Sequence, residues 1–183
     1  MKFKGIIIAA IGLLFASQVN AQDIQDKFIG MKLGTVQTES SIKTSVGERG
    51  EFIELQDRGE YMRFYFRDMF FVGRKWDFAY FYRNPNKQFY EFKVQSYYSE
   101  KNEALELYNS FKNRLNNKYG SPDEDKEEAN TQCITYYGDN NTDMMLVLEY
   151  MQSTGGTYYY YVSLDYINEE LYFSVQDAID NEL

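Results

Sequence analysis

The sequence predicts an α+β domain, an antiparallel sheet of about six to seven strands with helices packed on one face. Three observations predict it. Segments that alternate apolar and polar residues follow one another across turn-sized gaps, which makes neighbouring strands antiparallel. Helical segments separate blocks of several strands, rather than alternating with strands one for one as in a doubly wound sheet. The 18 tyrosines and 14 phenylalanines among 183 residues favour the pleated, half-buried surfaces of strands.

The chain opens on "MKFKGIIIAAIGLLFASQVNAQ". Lys2 and Lys4 precede an apolar run from Gly5 to Ala16, and Val19-Asn20-Ala21 offers small residues for cleavage before Gln22. This pattern predicts a signal peptide over 1–21, followed by a single α+β domain over 22–183. The apolar run is shorter than the roughly 20 residues that span a bilayer, so the expectation is an exported chain, periplasmic or extracellular and not membrane-embedded. No cysteine stands at the cut to carry a lipid.

After the acidic stretch Asp23 to Lys27, Gly30 and Gly34 punctuate a short extended piece. Thr38 or Ser40 caps a brief helix ending near Gly47, with Ile42 and Val46 among its few apolar contacts. "EFIELQ" and "YMRFYF" then flank Asp57-Arg58-Gly59 as a hairpin. "KWDFAYFYR" alternates, which puts Trp76, Phe78, Tyr80 and Tyr82 on one face, with Trp76 reading as core. Past the Asn84-Pro85-Asn86 turn, "QFYEFKVQSYY" places Tyr90, Phe92, Val94 and Tyr98 inward. Its Glu91, Lys93 and Gln95 read as solvent-facing.

The clearest helix lies in "SEKNEALELYNSFKNRLNNKYGSP", capped by Ser99 and stopped by Gly120 and Pro122. Ala104, Tyr108, Phe111, Leu115 and Tyr119 recur every three or four residues and form one stripe that packs on a sheet. "DEDKEEAN" reads as a solvated connection. Three strands follow, Gln132 to Tyr137, Met144 to Met151 and Thr157 to Tyr166, with turns at Asp139 to Thr142 and at Gly155-Gly156. Leu171, Val175 and Ile179 then predict a final helix. Helix-then-strands occurs twice, which suggests a weak internal duplication.

The pattern Gly30-x-x-x-Gly34-Thr35, then Phe71-Val72-Gly73, then Leu115-x-x-Lys118-Tyr119-Gly120-x-Pro122 resembles small exported α+β proteins common in Bacteroidetes. Those proteins are largely uncharacterised. The resemblance implies compartment and fold class and transfers no site residue.

Composition excludes several chemistries. The chain has no histidine and one cysteine, Cys133, which removes Ser-His-Asp and Cys-His catalysis, histidine metal sites and an internal disulfide. Cys133 reads as a buried, inert thiol. A net charge of −9, made more negative by loss of Lys2 and Lys4, argues against nucleic acid as partner. Asp139, Asn141 and Asp143 open like a calcium loop, but Met144 and Tyr150 stand where that motif needs Gly and Glu. No metal and no cofactor is therefore expected.

Two features remain. In "STGGTYYYYVSLDY", strand alternation puts Tyr158 and Tyr160 inside, and Tyr159 and Tyr161 outside as candidate ligand-binding residues. Tyrosine rings stack on sugars and anchor protein interfaces. The leading expectation is a non-enzymatic exported domain that binds a protein or glycan through an aromatic sheet face. The alternatives are a glycosidase-like hydrolase, for which Glu149 and Asp165 are the pair to test, and a structural or inhibitor-like module.

Overall fold

Residues 23–152 and 156–181 are described by the computed structural model. The signal peptide expected over 1–21, and Gly155 of the expected Gly155-Gly156 turn, lie outside the described residues. No helix among the described residues is long and apolar enough to cross a membrane.

A short hairpin of β1 (Lys27–Phe28) and β2 (Met31–Lys32) comes first. Helix α1 (Glu39–Val46) then precedes strands β3 (Glu51–Asp57), β4 (Met62–Phe71), β5 (Arg74–Arg83) and β6 (Phe89–Tyr98). Helix α2 (Lys101–Tyr119) precedes β7 (Glu124–Glu127), β8 (Thr131–Tyr137), β9 (Thr142–Gln152) and β10 (Tyr158–Asn168), and α3 (Glu169–Asp180) ends the fold. The eight strands form one antiparallel sheet in the order β3-β4-β5-β6-β10-β9-β8-β7. Each meander thus contributes its last strand, β6 or β10, to the centre.

The fold class is α+β with an antiparallel sheet, as the sequence predicts. The main sheet has eight strands rather than six or seven, because the acidic stretch after α2 pairs with β8 as β7. β7 is an edge strand, and charged residues there discourage pairing with other chains. Asp125 also receives Lys112 of α2 at 2.6 Å.

Local chemistry explains the elements. Thr38 Oγ1 caps α1 by accepting from the Ser41 amide at 3.0 Å, and Ser41 Oγ in turn accepts from the Thr38 amide at 2.9 Å. β4 and β5 join through Val72-Gly73, where φ is positive at both residues (52° and 78°), as a tight type I′ hairpin requires. The α2 stripe is the predicted one, Ala104, Tyr108, Phe111, Leu115 and Tyr119, all buried. The N-cap of the helix is Glu100 rather than Ser99, and it makes no side-chain capping bond.

The core fills the space between α2 and one face of the sheet, with Phe81, Phe92, Val94, Ile134, Leu146, Val162 and Leu164 buried. Trp76 is fully buried against Phe111, ring centres 5.2 Å apart, and its indole N–H donates to Phe71 O at 3.1 Å. Phe78, Tyr80 and Tyr82 do not share its face, contrary to simple alternation. Asp68 adopts a positive φ of 57°, and the side-chain phase of β4 changes there, from Phe64 and Phe66 inward to Met69 inward. β5 changes phase opposite it, from Trp76 to Ala79 and Phe81.

The helices do not all lie on one face. Tyr172 of α3 meets Tyr90 with ring centres 6.4 Å apart, and Tyr172 and Phe173 share a hollow with Cys133, Met145 and Ile167. Those strand residues point away from α2. An amphipathic stripe specifies that a helix buries one side, not which face of a sheet receives it.

Candidate functional site

The sheet face opposite α2 carries the candidate site. Strand register assembles it row by row. Lys93 of β6 pairs with Tyr80 on one side and Asp165 on the other; Glu91 pairs with Tyr82 and Ile167; Gln95 pairs with Phe78 and Ser163. Tyr97 pairs with Tyr161, which pairs in turn with Glu149. Side chains two residues apart on a strand share a face. Glu91, Lys93, Gln95, Tyr161, Ser163 and Asp165 therefore stand together at the centre of the sheet.

The sequence placed Glu91, Lys93 and Gln95 in solvent. Instead the Lys93 side chain is 23% exposed and that of Asp165 is 6% exposed, with Lys93 Nζ 3.0 Å from Asp165 Oδ2. Gln95 is buried as well. The ring-bearing neighbours on β5 and α3, which single-strand alternation cannot reveal, remove water from these groups. Asp165 Oδ1 has no hydrogen-bond partner among the described residues.

Burial pushes the Glu91 carboxyl up to about 8, reinforced by the Asp165 charge and opposed by Lys93 and Arg63. At neutral pH, Glu91 is then mainly protonated. For Lys93, burial works against the ammonium, but the Asp165 charge, joined by that of Glu91 once it ionises, outweighs it and holds the Lys93 pKa above the ordinary value. Burial raises Asp165 against the pull of Lys93. Lys93 and Asp165 form the ionised pair, and Glu91 is the titrating neighbour.

Tyrosines ring this cluster. Tyr80 stacks on Tyr65 at 5.2 Å with planes 7° apart, and the Arg63 guanidinium lies 5.4 Å from the Tyr80 ring centre. Tyr97 meets Phe78, Tyr159 and Tyr161 at 5.5, 5.4 and 6.1 Å. Burial raises the phenols of Tyr80, Tyr82 and Tyr161, so they stay neutral hydrogen-bond donors. Tyr97 is 38% exposed.

The two residues predicted to bind, Tyr159 and Tyr161, both lie on this face and are half-buried. Their surroundings differ. Tyr161 donates its hydroxyl to the Glu149 carboxylate, whereas Tyr159 packs edge-on against Tyr97 near Met151. Tyr158, expected inside, is 51% exposed. It stacks on Tyr150 where β9 and β10 run past the start of α2.

Glu149 and Asp165 share the face without forming a catalytic pair. Glu149 pairs with Tyr161 and Asp165 with Met145, four positions apart along the ladder, or about 13 Å. Glycosidase carboxyls stand about 5–9.5 Å apart. Cys133 is half-buried, with burial raising its thiol, which leaves it a weak nucleophile. Asp139 and Asn141 lie in the β8–β9 turn and Asp143 begins the β9 ladder. Among the described residues, no three His, Cys, Asp or Glu side chains cluster to hold a metal ion.

Searches against protein families, characterised proteins and solved structures find no match to this chain.

Proposed function

We propose that the protein is an exported, non-enzymatic binding module that docks a protein partner on the sheet face opposite α2. One observation carries the reading. The centre of that face is a lattice of half-buried rings over a desolvated Lys93–Asp165 pair, and among the described residues only α3 packs on it, at one end. A sheet face meant for water alternates toward charged and small polar residues. Here partly exposed aromatic rings stand in their place, the residue type that anchors protein interfaces.

Size favours a protein over a single sugar. From Tyr65 on β4 to Glu149 on β9 is four strand spacings, about 19 Å, and from Glu91 to Tyr97 is about 20 Å. That platform is about half of the roughly 800 Å² each partner buries in a standard interface. The chain's acidity supports a neutral or basic partner and speaks against nucleic acid. An inhibitor would use the same face by covering its target. The hydrolase alternative loses support with the separation of Glu149 and Asp165.

The test is affinity capture from the native cell envelope and medium with wild-type protein and with Tyr97→Ala, Tyr159→Ala and Tyr158→Ala variants of matched melting temperature. A partner of this face is retained by Tyr158→Ala and lost with Tyr97→Ala and Tyr159→Ala. If every captured protein survives both Tyr97→Ala and Tyr159→Ala, the reading is wrong.

A further inference from the structure

A cleft on the other face of the sheet, beyond the start of α2, belongs to none of this. It encloses about 300 Å³ and is lined by Lys101 of α2, by Glu127, Asn130 and Gln132 around the β7–β8 turn, and by Tyr150 and Tyr160. We propose that this cleft binds a neutral saccharide.

The cleft exists because the sheet outruns its helix. α2 covers β9 and β10 as far as Leu148 and Val162, which are buried; the next inward residues, Tyr150 and Tyr160, have only partial cover. Their ring centres are 4.8 Å apart, and Tyr158 lies parallel to Tyr150 at 5.2 Å and 11°. Tyr150 stacks face to face on Tyr158 and lies against Tyr160, so the ring surface this aromatic shelf leaves open is that of its outer rings. Sugars present one face of polarised C–H groups, which the negative face of an aromatic ring attracts.

Sugars also need planar polar groups aimed at their hydroxyls, and the opposite wall supplies them. Gln132 Nε2 donates to Glu127 Oε1 at 3.0 Å, which fixes an amide and a carboxylate side by side. The Tyr150 amide donates to Asn130 O at 2.8 Å, tying the loop to the shelf. Few polar groups in fixed positions beside an apolar surface are what orient a small ligand.

The charge of the lining narrows the class. Glu127 and Glu128 face a single cation, Lys101, in a chain of net charge −9. Uronic, sulfated and sialylated sugars would be repelled, so a neutral saccharide remains. The site does not depend on the protein-docking face, since its rings point to the other side of the sheet.

The experiment is a titration of the ¹⁵N-labelled protein with cellohexaose, maltohexaose and N,N′-acetylated chitohexaose, each to millimolar concentration, and with a heparin hexasaccharide as the anionic arm. At least one neutral probe should shift the Gln132, Tyr150 and Tyr160 amides saturably. Tyr150→Ala and Gln132→Ala should each weaken that binding at least tenfold, and Tyr97→Ala should leave it unchanged. The proposal is overturned if no neutral probe shifts those amides, if heparin binds as tightly, or if binding survives both cleft substitutions. Loss in Tyr97→Ala as well would move the sugar to the opposite face and also overturn it.

Discussion

Lys93 Nζ and Asp165 Oδ2 lie 3.0 Å apart across the β6–β10 ladder, with only 23% and 6% of their side chains exposed. A pair this enclosed is held in place by what its loss would leave behind, since a lone buried charge costs more than the pair contributes. Lys93→Met should therefore destabilise the protein by about 3 kcal/mol or more, read by urea denaturation at pH 7. Adding Asp165→Leu should recover much of that loss. A single substitution that costs under about 0.5 kcal/mol, the usual surface value, would show that water reaches the pair.

Glu91 makes stability depend on pH in an uncommon direction. Its pKa is near 8 in the fold and near 4.5 when unfolded, so between those values the folded state holds the extra proton. Stability from this residue is full below about pH 4.5 and is lost as pH rises through 8. Glu91→Gln should raise the melting temperature at pH 8.5 and change it little at pH 5. Equal effects at both values would contradict the assignment.

Asp143 adds to the same trend at lower pH. Burial and the nearby Glu169 charge push it up to about 6 from 3.8, so its contribution fades between about pH 4 and 6. Asp143→Asn should flatten the melting curve's pH dependence in that window alone.

Tyr161 and Tyr159 should separate on removal of one oxygen. Tyr161→Phe leaves the Glu149 carboxylate without its donor and should cost about 1 kcal/mol. Tyr159→Phe keeps its edge contact with Tyr97 and should leave the unfolding midpoint unchanged.

Trp76 and Phe70 give the matching contrast in packing. Trp76→Ala empties a fully buried position against Phe111 and should cost about 3–5 kcal/mol. Phe70, 55% exposed, should tolerate alanine within about 0.5 kcal/mol.

The helices were the most legible part of the sequence. Every residue of the α2 stripe is buried because helical periodicity is a local property, visible without knowing the partner surface. The strands of the main sheet were found for the same reason, apart from β7, whose charges resemble a loop because edge strands are charged by need; the β1–β2 hairpin read only as a short extended piece. Face assignment failed wherever it depended on a neighbour. Trp76 parts from Tyr80 through the φ of Asp68, and Tyr158 is exposed because α2 starts too late to cover it.

The site was half legible. Alternation brought Tyr159 and Tyr161 to one face, as the structure shows. The cluster beneath them was invisible, because Glu91 and Lys93 are ordinary surface residues until β10 lies beside them. Nothing within "EFKVQS" announces Asp165.

That same pairing governs how the chain must fold. Strands β3 to β6 and β7 to β10 each join through short connections and can close locally, but the seam between them links residues 72 apart. Long-separation contacts form slowly because the loop entropy is lost before they repay it. Each half, closing early, would carry one member of the ion pair on an open edge, still hydrated. Dehydration of Lys93 and Asp165 is thus a late event, and the seam is where refolding should wait.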